Sequence, residues 1–167
     1  MSKTITLNAL DVNSIDNALK ELQEYQAWVE AKTELLCRKC ADLGLTVASA
    51  NFNGAFYGMG DNDVVVTVEQ TDHGYNIIAS GESVCFIEFG AGVYYNGAEP
   101  YPIPRPEGVV GIGEFGAGHG KQNSWFYTDK NGERQYTHGN PAAMPMYSAQ
   151  KTIRDMLAQI AKEVFAE

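Results

Sequence analysis

An α+β fold is what these 167 residues predict: a long N-terminal helix and a C-terminal helix packed on a small antiparallel sheet, with a long Gly/Pro-rich loop. Three observations lead there. Apolar residues recur at three- and four-residue steps near both ends of the chain, the signature of helices with one buried face. Valine- and tyrosine-rich runs between them are separated by short turn sequences, the signature of hairpins. Two amphipathic helices need an apolar surface to lie on, and a small sheet supplies one. A chain of this length makes one domain, here residues 1–167.

The elements follow in order. Thr4-Ile5-Thr6-Leu7 alternates, as a short strand or ordered arm does. A helix starts near Asn13 or Ser14, whose side chains accept a free backbone N–H, with Asp16 close behind to suit the helix dipole. Its stripe is Ile15, Leu19, Leu22, Val29, Leu36, Cys40 and Leu43, joined by Tyr25 and Leu35. Glu21, Glu24, Glu30, Lys32 and Arg38 take the other face. Gly44 ends or bends this helix of about eight turns, and residues 45–52 form a second helical piece. Residues 63–71 and 75–80 flank Asp72-His73-Gly74 and read as a β-hairpin. Residues 83–89 are a short helix in preference to a third strand. Residues 90–122 carry glycine, proline and tyrosine without periodicity, as a functional loop or arm does. Residues 123–127 and 133–137 flank Asp129-Lys130-Asn131-Gly132, a second hairpin. After Pro141 a final helix runs to about residue 165, its stripe Ile153, Met156, Leu157, Ile160 and Val164.

Composition narrows the classes. The apolar share of 44% is that of a globular protein. A net charge of −9 opposes sequence-independent attraction to nucleic acid or anionic lipid. No apolar run approaches the ~18 residues of a membrane span, and the first residues lack the apolar stretch of a signal peptide. Three cysteines leave one over, which argues against an oxidised scaffold. The chain is expected to be made and used in a cytoplasm.

The motifs with chemical potential read as structure. Cys37-Arg38-Lys39-Cys40 is a C-x-x-C, but it lies deep in a helix, far from the strand-to-helix turn a redox pair needs. A zinc site would need two more ligands, and only Cys85 and scattered histidines remain. Gly111-Ile112-Gly113-Glu114-Phe115-Gly116 matches G-x-G-x-x-G in form. No helix start follows it, however, and Glu114 would repel a phosphate. His73, His119 and His138 fall in turns or loops, and Ser83 and Ser124 lack a nucleophile elbow. Glu88 is the one carboxylate lodged in an apolar run, between Ile87 and Phe89. That is the setting of a catalytic acid, or of a structural acceptor for the N–H groups of the glycine turn behind it. No catalytic residue, cofactor or metal is assigned.

Two phrases carry a family resemblance. Phe86-Ile87-Glu88-Phe89-Gly90-Ala91-Gly92 is followed about fifty residues later by Pro141-Ala142-Ala143-Met144-Pro145-Met146-Tyr147. The order of elements and these phrases resemble the tail-completion or neck proteins, the head–tail joining family of long-tailed phages. In that family a phrase (F/Y)(I/V)EFGTG precedes a Pro- and aromatic-containing lead into the last helix; here Ala91 replaces the usual Thr. The stretches 111–125 and 127–132 resemble longer-loop members from phages and prophages of low-GC Gram-positive bacteria. The resemblance implies a structural virion protein that completes the head-proximal end of the tail and helps join it to the head. Its partners would be copies of itself, the tail terminator, the head-closure or connector protein and the tail tube, with no membrane and no sequence-specific nucleic acid. It implies binding without catalysis and assembly in the host cytoplasm. The contact residues expected on this reading are Tyr94, Tyr95, Tyr101, Ile112, Phe115 and Trp125. Alternatives are a tail terminator ring subunit, and a small hydrolase using Glu88 with His138 or His119.

Overall fold

The computed structural model describes residues 4–6, 8, 10–55, 62–90, 125–129, 131–137 and 142–166. The elements are α1 (Val12–Gly54), β1 (Val65–Thr71), β2 (Gly74–Ser80), α2 (Val84–Phe89), β3 (Trp125–Thr128), β4 (Arg134–Thr137) and α3 (Pro145–Ala166). This is the expected α+β class, with the strands in two separate two-stranded antiparallel sheets. Of the Gly/Pro-rich segment expected over 90–122, only Gly90 lies within the described residues.

α1 is one unbroken helix of 43 residues, about 65 Å long at 1.5 Å per residue. Its N-cap is Asp11, not Asn13 or Ser14. Asp11 has extended backbone, so its carboxylate reaches forward to accept the Asn13 N–H at 3.0 Å. The Ser14 hydroxyl instead accepts the N–H of Asn8 at 2.9 Å. At the far end the Asn62 side-chain amide donates at 2.6 Å to the Phe52 carbonyl, which also accepts the Ala55 N–H at 3.2 Å.

Gly44 does not end the helix, which runs on to Gly54. Gly44 is buried, and a Cβ there would overlap Ile77 of β2 and lie 2.6 Å from Cδ1 of Ile153 in α3. A glycine inside a helix costs about 1 kcal/mol against alanine. Here it is the point where hairpin and helix both close on α1.

The β1–β2 hairpin pairs Val66 with Ala79, Val68 with Ile77 and Thr71 with Gly74, leaving Asp72 and His73 as a two-residue loop. Alternation puts Val66, Val68, Ile77 and Ala79 on one face, and the hairpin packs on α1. Its rim is tied to that helix at Glu34, which accepts from the Gln70 amide at 3.1 Å and the Tyr75 hydroxyl at 3.4 Å.

α3 begins at Pro145, four residues after the proline expected to launch it. It runs antiparallel to α1: Ile153 meets Gly44, and Phe165 lies edge-on to Trp28 with ring centroids 5.7 Å apart. The buried apolar residues are Ala18, Ala41, Ala48 and Phe52 of α1, Ile87 of α2, and Ala149, Ile160 and Val164 of α3. Small residues on α1 let the two backbones approach closely. Of the expected stripes, Leu157 on α3 and Ile15, Leu19, Leu22 and Tyr25 on α1 are exposed rather than packed. For the α1 residues the reason is length: α3 has 22 residues, about 33 Å, against 43 for α1.

Candidate functional site

The two phrases that carry the family resemblance meet in space, and the joint between them is built by α2. Two carboxylates, Asp63 and Glu88, brace this helix of six residues. At its entrance the Asp63 carboxylate accepts the backbone N–H groups of Glu82 and Ser83. A hydrogen bond with the Ser83 side chain, followed by that from the Glu82 N–H, holds the Asp63 carboxyl below its ordinary value. At the exit Gly90 adopts φ 75°, a left-handed backbone that favours glycine and turns the chain out of the helix.

Between these ends lies Glu88, only 4% exposed. Its two carboxylate oxygens accept the backbone N–H groups of Met146, at 2.7 Å, and Tyr147, at 3.0 Å. Those are the second and third residues of α3. The first, Pro145, has no N–H to satisfy, and the N–H of Ser148 bonds the Met144 carbonyl at 2.9 Å. Every donor of the first turn of α3 is thereby accounted for. Beside it the Ala143 N–H bonds the Ile87 carbonyl at 2.9 Å. Met144 is held at φ 53°, a conformation costly for a side chain other than glycine, and these surrounding bonds enforce it.

Glu88 thus does for α3 what a serine or aspartate N-cap does locally, with the added attraction of a negative charge for the positive end of the helix dipole. The acceptor role expected for it holds toward the first turn of α3; residues 91 and 92 of the glycine turn behind it lie outside the described residues. Sequence contained the missing signal: Ala142, Ala143 and Met144 offer no capping side chain ahead of Pro145, so the cap had to come from elsewhere.

The other chemical candidates stay apart. Cys37 and Cys40 are half-buried free thiols, and burial followed by the neighbouring Cys37 pushes the Cys40 thiol up, away from a reactive thiolate. His73 is exposed on the β1–β2 loop; His119 and His138 lie outside the described residues. Among the described residues no three His, Cys, Asp or Glu side chains gather as metal ligands, and no helix is long and apolar enough to cross a membrane.

Two surfaces remain. One is the β3–β4 hairpin, where Phe126 and Tyr136 pair across the strands with centroids 5.1 Å apart and the Arg134 guanidinium lies 4.3 Å over the Phe126 ring. Phe126 and Tyr136 on one face and Tyr127 on the other are exposed. Trp125 begins β3 and pairs with Thr137. The remaining expected contact residues, Tyr94, Tyr95, Tyr101, Ile112 and Phe115, lie outside the described residues.

In the second surface Ile15, Leu19 and Leu22 were expected to be core. With Val12 ahead of them they follow one another at steps of three, four and three along the first half of α1, and all four are exposed. Compared with protein-family models, with curated proteins and with solved structures, the chain matches none.

Proposed function

We propose that this chain is a structural virion protein at the head–tail junction of a long-tailed phage, completing the head-proximal end of the tail and helping join it to the head. The observation that supports this reading is the joint at α2. The two phrases that resemble the neck family form one structural latch, and the single carboxylate lodged in an apolar run spends both oxygens on the start of α3. A hydrolytic role for Glu88 would need those oxygens at a substrate. Function then belongs to surfaces: exposed aromatics on the β3–β4 hairpin and exposed aliphatics on α1. Large apolar side chains left in water mark contact sites, and an assembly protein works by burying them against its neighbours. On this reading the chain acts in the virion, is assembled in the host cytoplasm, and contacts copies of itself together with terminator, head-closure or connector and tube proteins.

Electron microscopy of particles from a phage or prophage carrying an early stop in this gene alone tests the proposal. Full heads beside unattached or defective tails are the expected result. Normally joined virions would overturn it.

A further inference from the structure

One backbone conformation in the joint at α2 is at odds with its own sequence. Met144 stands at φ 53°, left-handed backbone whose cost to a residue with a side chain is worth roughly five- to thirtyfold in population. The next residue is Pro145, which steers its predecessor towards extended backbone. The Met144 carbonyl also accepts the first bond of α3, from the Ser148 N–H. At that place serine, aspartate or asparagine with extended backbone is preferred, and Met144 supplies neither the side chain nor the conformation. Local preference points to one state of this residue, and the fold holds another.

Bonds on either side hold it there. Ahead of Met144 the Ala143 N–H bonds the Ile87 carbonyl, and beyond it the Met146 and Tyr147 N–H groups bond Glu88. Both acceptor residues lie in the last turn of α2, so these bonds form and break together. The rest of α3 has anchors of its own, Ile153 at Gly44 and Phe165 at Trp28. Among the described elements α2 packs chiefly on α3, and Asp63 ties it a second time at its entrance. Strain on one side, a few clustered bonds on the other, and independent anchors behind both partners are the construction of a two-state element.

We propose that the α2–α3 joint is a strained latch with an open state of its own. In that state Met144 relaxes to extended backbone, Ile87 and Glu88 release residues 143–147, and α3 stays packed on α1 through its middle and end. Opening bares Ile87, only 4% exposed when the joint is closed, and frees both oxygens of Glu88. The inference goes beyond the neck reading and does not depend on it.

Hydrogen exchange of the full-length protein at single-amide resolution, in water and in low urea, tests this. The Ala143, Met146 and Tyr147 amides should exchange together, more than tenfold faster than those of Ala41 and Ala48 in α1. Their exchange should depend little on urea, as local opening does. Val164→Ala removes buried volume at the far end of α3. It should speed the α1 amides about tenfold and leave the three latch amides where they were, because open and closed states lose the same contact. Met144→Gly and Met144→Asn, both at ease at positive φ, should slow the latch amides about tenfold. The asparagine variant keeps a side chain where glycine has none. Met144→Val, whose branched side chain tolerates that backbone least, should speed them. Latch amides that exchange at the rate and urea slope of α1, or that rise with α1 in Val164→Ala, would leave the joint no open state of its own. Exchange unaltered by all three substitutions at Met144 would remove the strain. Each of these results overturns the proposal.

Discussion

The two halves of α1 share one helix and one ladder of three- and four-residue steps, yet they treat their apolar residues in opposite ways. The second half buries small ones: Ala41, Gly44 and Ala48 sit under the hairpin and α3, with Phe52 closing the end. The first half exposes large ones, Val12, Leu19 and Leu22. Side-chain size is therefore not what decides burial here. Small residues lower the surface of the helix so that neighbours come close, and dispersion with every facing atom rewards the approach. Large residues project far enough to be buried by a helix at coiled-coil distance, but α3 has ended before it reaches them. One half of α1 is packed against the hairpin and α3, and the other half, apart from buried Ala18, leaves its large apolar side chains exposed.

Truncation is the strongest way to break that contrast. Phe52, 1% exposed, should cost about 3–5 kcal/mol when replaced by alanine, whereas Leu19→Ala should change stability by about 0.5 kcal/mol or less. Urea denaturation of both variants measures the difference, and similar losses would mean the first half is covered after all.

Glu88→Ala should cost about 1–3 kcal/mol, because two N–H donors in the first turn of α3 lose their acceptor. Glu88→Gln keeps one acceptor oxygen and should lose less. Amide exchange at Met146 and Tyr147 should accelerate in the alanine variant before exchange in the middle of α1 does.

Gly44→Val should cost about 1–3 kcal/mol by overpacking against Ile77 and Ile153. Gly44→Ala should cost less, since the helix propensity it gains offsets part of the overlap. A stabilised valine variant would mean the hairpin and α3 do not close on α1 as described.

Acid should loosen the entrance to α2. The Asp63 carboxyl lies below its ordinary value in the folded chain, so its contribution is fully present at neutral pH and down to that ordinary value. It is lost as pH falls through the lower folded value, below about 4. Asp63→Asn should remove that portion of the pH dependence; an unchanged acid transition would show that the bonds to Glu82 and Ser83 contribute nothing.

The smallest effect tests the exposed seam. Leu19→Gln/Leu22→Gln should leave thermal stability within a few degrees of the parent while improving solubility. A large fall in Tm would show that these leucines are packed within the chain.

Much of the architecture was legible because periodicity reports local geometry. The two helices, both hairpins and the short helix over 83–89 all form, and the Asp72-His73 loop falls where the turn residues stand. Where the reading differs, a tertiary contact is responsible. Gly44 reads as a breaker because glycine weakens a helix, and only Ile77 and Ile153 reveal it as a packing site. Pro141 reads as a launching proline because nothing local distinguishes it from Pro145, the one whose following N–H groups Glu88 receives.

By itself the sequence determined the class of fold, the order of its elements, the apolar ladder on α1 and the placement of one carboxylate inside an apolar run. Those follow from 3.6- and 2-residue periods and from turn chemistry, which act between residues close in the chain. The tertiary structure decided which stretch of the ladder is covered and what Glu88 holds. Both depend on residues 58 and more positions apart arriving at one place: a buried carboxylate reaches its lowest free energy where donors meet it, and an apolar seam is core only as far as a neighbouring helix extends.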